Sequence, residues 1–183
     1  MSQQEKHWSQ VDFENTNIKL PARIINIGNS EALLSFLDKS PRSFSKIVLC
    51  VKSVEEPLCR HLMETTPSDI LDYYTYENGE IPPVEKYRSN RGHGLFIVDV
   101  MALPELPMPI TITEWAIRCR TLGEYGFSFV YITQSFFDIP RGIRLQASHL
   151  FINFCKTADF LNIALDAEDE CISKYRRNFL EFL

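Results

Sequence analysis

The sequence predicts an α/β fold of three layers, a mostly parallel sheet flanked by helices, and three observations carry that prediction. Continuous apolar runs recur at 23–27 (RIINI), 46–51 (KIVLCV), 94–99 (GLFIVD), 127–133 (FSFVYIT) and 149–154 (HLFINF). Uninterrupted runs, unlike alternating ones, suit strands covered on both faces. Segments of helical character separate several of these runs, and strand–helix alternation implies βαβ units with right-handed crossovers. Finally, 183 residues fit one core, since a chain of this size hides roughly 70% of its unfolded surface.

Residues 1–20 are polar apart from a few anchors such as Trp8 and Phe13, and read as an extended N-terminal arm preceding a single domain over 21–183. Arg23–Ile27 is short, β-branched and closed by Gly28, as a buried strand ending in a turn would be. The segment SEALLSFLDKS (30–40) predicts a helix capped by Ser30, with Leu33, Leu34, Phe36 and Leu37 on its apolar side and Pro41 beyond its end. Lys46–Val51 is the second strand, and Glu55–Glu64 a helix that tolerates Pro57 in its first turn.

Asp72–Tyr76 (DYYTY) has the composition of a short third strand, and the Pro-containing stretch 78–94 reads as a surface loop. Gly94–Asp99 is the next strong strand. Three prolines interrupt 103–109, after which Ile112–Leu122 predicts a helix holding Trp115, Ile117 and Cys119. Phe127–Thr133 runs into the polar turn Gln134–Ser135, His149–Phe154 closes the series, and 158–183 is helical by composition.

Composition narrows the functional classes. Apolar residues at 45% and charged residues at 23% place the chain among ordinary globular proteins. A formal charge of −5 argues against a surface that binds nucleic acid throughout, so any DNA contact is expected to be local or made by an assembled ring. No apolar run approaches the roughly 18 residues of a bilayer span, and MSQQEKHWSQ lacks a signal-peptide core, so an intracellular protein with no membrane span is expected. Cys50, Cys59, Cys119, Cys155 and Cys171 show no C-x-x-C spacing and read as buried thiols. His7, His61, His93 and His149 have no metal-ligand spacing.

Several segments, in order, resemble one family: RIINIG, ALLSFLDKSPRSFSKIVLCVKSVEEPL, ENGEIPP, GLFIVD, ITEWAIRCR and VYITQSFFDIPRGIRLQASHLFINF, together covering roughly residues 22–160. The strongest is TQSFFDIPRGIRL, a strand-ending Thr-Gln-Ser, an aromatic pair, Ile-Pro and basic residues. The family it resembles is the genome-packaging ATPases of poxvirus-like and other large DNA viruses and of Polinton or Maverick elements, within the FtsK/HerA group of P-loop motors. In that family the first strand runs into G-x-x-x-x-G-K-S/T, whose backbone N–H groups and helix N-terminus hold phosphate while the Lys neutralises it and the hydroxyl binds Mg²⁺. Here Gly28 is followed directly by Asn29, Ser30, Glu31 and Ala32. No second Gly and no Lys follows, which leaves Gly28 and Ser30 as remnants of the loop, with Glu31 placing negative charge where phosphate would sit. Taken without the resemblance, Gly28 and Ser30 read as an ordinary strand-to-helix turn with its cap.

The resemblance implies further roles. The family's acidic strand ends in two carboxylates, one for Mg²⁺ and one to polarise the attacking water. In this chain Asp99 remains, as a vestigial catalytic and metal-site residue or as a hydrogen-bonded strand end, and Val100 occupies the second place. Gln134 stands where related motors read the γ-phosphate, or is simply a turn residue. Arg118 and Arg120 resemble the family's Arg-x-Arg helix, and with Arg141 and Arg144 they are arginine-finger or DNA candidates, the alternative being a salt-bridged face.

The expectation is thus a degenerate packaging ATPase that uses no cofactor, ATP and Mg²⁺ being implied only where the family function persists. The partners the resemblance implies are further copies in a ring, double-stranded DNA, and viral capsid or packaging proteins, in the host cytoplasm or nucleus or in the virion. Two alternatives stand beside it. One is a working motor whose loop is missing through a gene-model error, and the other is an interaction module with no nucleotide.

Overall fold

The computed structural model describes residues 18–28, 31–38, 43–75, 81–100 and 110–152. Six strands form one sheet: β1 (Arg23–Ile27), β2 (Lys46–Val51), β3 (Leu71–Thr75), β4 (Gly94–Asp99), β5 (Phe127–Thr133) and β6 (His149–Ile152), in the order β3-β2-β4-β5-β1-β6. Every adjacent pair is parallel. Among the described residues four helices accompany them: α1 (Glu31–Asp38), α2 (Pro57–Thr65), α3 (Ile110–Arg118) and α4 (Arg141–Gln146). The fold class expected from the sequence is the one observed.

Period-two alternation divides each strand between two apolar layers. Ile24, Leu49, Ile97 and Val130 face α1 and α2, where they meet Leu33, Phe36, Leu58 and Leu62. Ile25, Val48, Phe96 and Phe129 face α3 and α4, where they meet Trp115, Cys119 and Ile143. The connections running toward β3 therefore cross one face and those running toward β6 cross the other. A single crossover hand produces that arrangement.

The α3 layer is built around aromatic stacking. Phe96 lies between Trp115, with ring centroids 4.1 Å apart at 16°, and Phe129, 5.7 Å away at 7°. The Trp115 indole N–H donates to the Pro82 carbonyl at 2.8 Å, so the buried ring leaves no unsatisfied donor. Gly94 opens β4 because Phe127 packs on it: a Cβ there would stand 2.2–2.4 Å from the Phe127 ring.

Several boundaries depart from expectation, each for a local reason. The packed body begins upstream of Pro21, since Ile18 and Leu20 are buried in the α1–α2 layer. The strand expected over 72–76 starts at Leu71, which is buried and pairs with Ile47. The helix expected from Glu55 starts at Pro57, whose fixed φ suits a first helical residue. The helix expected over 112–122 starts at Ile110 and tightens after Arg118 into a 3₁₀ turn over Cys119–Thr121.

The stretch expected as a surface loop is anchored in the core. It carries a 3₁₀ turn over Val84–Tyr87 with both end residues buried, and a fully buried His93. Helix α4 was not anticipated at all. Trp8, Phe13, Cys155, Cys171, His7 and the helical stretch expected over 158–183 lie outside the described residues. Cys50, Cys59 and Cys119 are buried free thiols, and burial pushes the pKa of all three up.

Candidate functional site

In a parallel α/β sheet, ligands bind beyond the carboxyl ends of the strands, where neighbouring chains part to opposite faces. The chain leaving β1 turns to the α1 face and the chain leaving the adjacent β5 turns to the α4 face. The crevice between those two strands is the candidate site. Gly28 follows β1, Gln134 follows β5, and Asp99 ends β4 on the far side of β5. The three residues singled out by the sequence thus share one sheet edge, with Gln134 on the strand between the other two.

Hydrogen bonds fix that edge. The Gly28 N–H donates to the Thr133 carbonyl at 2.8 Å, and the Val100 N–H to the Ile132 carbonyl at 3.0 Å. Gly28 has φ 103°, a left-handed conformation that favours glycine. Helix α1 starts at Glu31, so three positions, 28–30, join strand to helix. Ser30 lies outside the described residues. Neighbouring strands stand about 4.8 Å apart, which sets the ends of β1 and β4 about 10 Å from each other.

The acidic strand treats its last residues differently. Asp99 is 7% exposed and, by alternation, lies on the face that carries α1. Val100 turns to the opposite face and packs against the Trp115 layer. The second acidic place of the resembled family is here part of an apolar layer. Among the described residues, no three His, Cys, Asp or Glu side chains gather into a group that could hold a metal ion.

Gln134 is exposed. The residue before it, Thr133, is 5% exposed, and its hydroxyl accepts the Ser135 N–H at 3.3 Å while donating to the Ser135 carbonyl at 3.2 Å. The sequence reading ended the strand at Thr133 without giving its hydroxyl a role, although a Thr at a strand end before a polar turn is the usual signal for such a closure. Phe136 and Ile139 then anchor the chain in the α3 layer, leaving Phe137 exposed.

The four arginines do not gather. Arg118 is bound to Glu114 at 2.5 Å and Glu85 at 2.6 Å on the protein surface. Those carboxylates raise its pKa, as a salt-bridged face would. Helix α3 runs back from the carboxyl edge, so Arg118 and Arg120 lie toward the amino edge of the sheet. There burial, and after it the Arg120 charge, push the His149 pKa down. Arg141 is exposed at the start of α4, on the side of the candidate crevice. Arg144 lies over the Phe136 ring, its guanidinium carbon 5.3 Å from the centroid.

Comparison with protein-family models gave no match, and comparison with curated proteins gave none. Among the described residues, no helix is long and apolar enough to cross a membrane.

Proposed function

We propose that this chain is a non-hydrolysing relative of the viral genome-packaging ATPases, serving as a structural or regulatory subunit or persisting as a decayed copy. The observation that carries the reading is the three-residue connection between β1 and α1. A phosphate loop needs several consecutive backbone N–H groups turned toward one anion and a Lys to neutralise it. This connection contains no Lys, and the N–H of Gly28 is already committed to Thr133.

The chemistry at β4 supports the same reading. A motor of that family places a second carboxylate beside Asp99 to polarise water, whereas Val100 belongs to the apolar layer. The residues present do not fit a tightly held Mg²⁺-triphosphate. The strand order nevertheless suits an ancestral site of that kind. A polar residue that reads the γ-phosphate must stand between the phosphate loop and the acidic strand, and Gln134 follows the strand between them. Ring assembly, DNA and packaging partners belong to this proposal through the family resemblance.

ATP hydrolysis by the purified full chain tests it. Negligible turnover with Mg²⁺, unchanged in Asp99→Ala, is the expected result. Robust Mg²⁺-dependent hydrolysis that Asp99→Ala abolishes overturns the proposal.

A further inference from the structure

Strand β3 ends the sheet, and among the described residues no strand pairs with its outer side. The Ile47 N–H donates to the Ile70 carbonyl at 2.8 Å. Residues that bond inward alternate along a strand of a parallel ladder, so Ile70, Asp72 and Tyr74 direct their backbone groups to β2 while Tyr73 directs both its N–H and its C=O outward. Neither of these Tyr73 groups meets a partner among the described residues. Sheet edges are commonly blunted by a Lys, a Pro or a bulge. The strand LDYYT has no Lys or Pro, and its register against β2 is unbroken.

Groups on both faces flank this edge. Tyr73, which by alternation shares the face of Leu71 and α2, is 48% exposed. Met63 of α2 is 46% exposed. His61 lies 3.4 Å from Asp38 of α1, and Met63, about 200° further round the helix, turns away from α1. Because α1 joins β1 to β2 and α2 joins β2 to β3, that direction is the side of the sheet edge. On the opposite face the Asp72 carboxylate pairs with Lys46 at 2.6 Å and accepts from the Tyr87 hydroxyl at 2.8 Å. Glu85 is paired with Arg118 and Arg88. Lys86 donates to the Tyr74 hydroxyl at 2.5 Å and, among the described residues, to no carboxylate.

We propose that the outer edge of β3 is the interface for a second copy of this chain, paired antiparallel about a two-fold axis at Tyr73, so that two six-stranded sheets become one. Tyr73 of each copy exchanges both backbone bonds with Tyr73 of the other, their Cα atoms about 5.5 Å apart. The two phenol rings form a cross-strand aromatic pair, with Met63 of each copy on the same face. That register also sets Asp72 of each copy opposite Tyr74 of the other, which brings each Lys86 toward a carboxylate. The edge is thus its own complement under a two-fold axis, in backbone, ring and charge, and this selects a second copy over an unrelated strand. Nothing in the pairing depends on the ATPase ancestry.

Sedimentation equilibrium of the full chain at about 100 µM, where even a micromolar interface is populated, tests the proposal. A mass of two chains is expected. Tyr73→Pro removes the ring and the outward N–H while leaving every bond to β2, and is expected to sediment as one chain with unchanged far-ultraviolet circular dichroism. Should that variant unfold, Tyr73→Lys, which sets two like charges on the axis, provides the same reading. Oxidised Tyr73→Cys, in a Cys155→Ser and Cys171→Ser background, is expected to link two chains where that background alone does not. A parent chain that sediments as a single mass overturns the proposal. So does a dimer that Tyr73→Lys leaves intact, or one that Tyr73→Cys fails to link.

Discussion

The Arg23 guanidinium donates to the Ile117 carbonyl at 3.0 Å, in the last turn of α3. The same group reaches the Gln146 carbonyl at 3.5 Å and its Oε1 at 2.9 Å, in the last turn of α4. One cation at the start of β1 therefore occupies the negative ends of two helix dipoles and satisfies carbonyls that no helical N–H can reach.

Removing that clamp should loosen the α3–α4 layer. Arg23→Met, which keeps the apolar stem, is expected to cost about 2 kcal/mol. Chemical denaturation checks it, with Arg23→Lys retaining part of the loss because it keeps the charge but not the planar fork. A variant as stable as the parent would mean that the carbonyls are satisfied by water.

His93 predicts a pH dependence. Its Nδ1 lies 3.2 Å from the Tyr125 carbonyl, which can only accept, so Nδ1 carries the proton. Its Nε2 then accepts from Ser128 Oγ at 3.0 Å, and that oxygen in turn accepts the Ala22 N–H at 3.0 Å. Burial lowers the His93 pKa from 6.5 to about 4. Because the unfolded chain binds this proton first, stability is complete above pH 6.5 and is lost as pH falls toward 4. The full loss is about 3 kcal/mol. Urea unfolding across that window should show the slope in the parent and a flatter one in His93→Leu.

Gly94 and Phe127 should behave as a coupled pair. Gly94→Ala drives a methyl into the Phe127 ring, with an expected cost of about 1–3 kcal/mol for overpacking. Phe127→Leu in the same chain should recover part of that loss. A double-mutant cycle in which the two effects simply add would show that the ring moves aside freely.

Restoring the phosphate loop separates loss of the loop from decay of the whole site. Inserting a Gly-Lys-Thr-containing loop between Gly28 and Asn29 should return saturable binding of a fluorescent ATP analogue. Binding should come back before hydrolysis. The further change Val100→Asp or Val100→Glu must set a carboxylate against the apolar layer around Trp115, at a cost of about 1–3 kcal/mol. A loop-restored protein that folds yet shows no saturable binding would limit the ancestry to the fold.

The strands were legible because double-sided burial leaves unbroken apolar runs such as KIVLCV and FSFVYIT. Helix α4 was not. Only Ile143 among its six residues is buried, which is too little periodicity to register. Val84 and Tyr87 sit among polar neighbours, and their burial depends on α3 and on strands distant in sequence. At the candidate site, Gly28, Asp99 and Gln134 could be placed on one edge because parallel strands all end there. The separation of Arg118 and Arg120 from that edge follows from the same topology, since a helix following a parallel strand returns toward the amino side, yet the sequence reading grouped them with Arg141 and Arg144. The role of Val100 was not, because alternation about Asp99 assigns faces only once the two helical layers are known.

The strand order also sets a timetable for folding. Both neighbours of β1 come late in the chain, and the contact that fixes its start, Ala22 N–H to Ser128 Oγ, spans 106 residues. Strands β2, β3 and β4 can associate as soon as residue 99 is available, whereas RIINI must wait for β5 before either of its edges is paired. During synthesis at about 5–20 residues per second, this strand stays unpaired for several seconds after it leaves the ribosome. Long-range parallel pairing of this sort is slow and exposes aggregation-prone edges, so the most vulnerable moment in the life of this protein falls between the emergence of its first strand and its fifth.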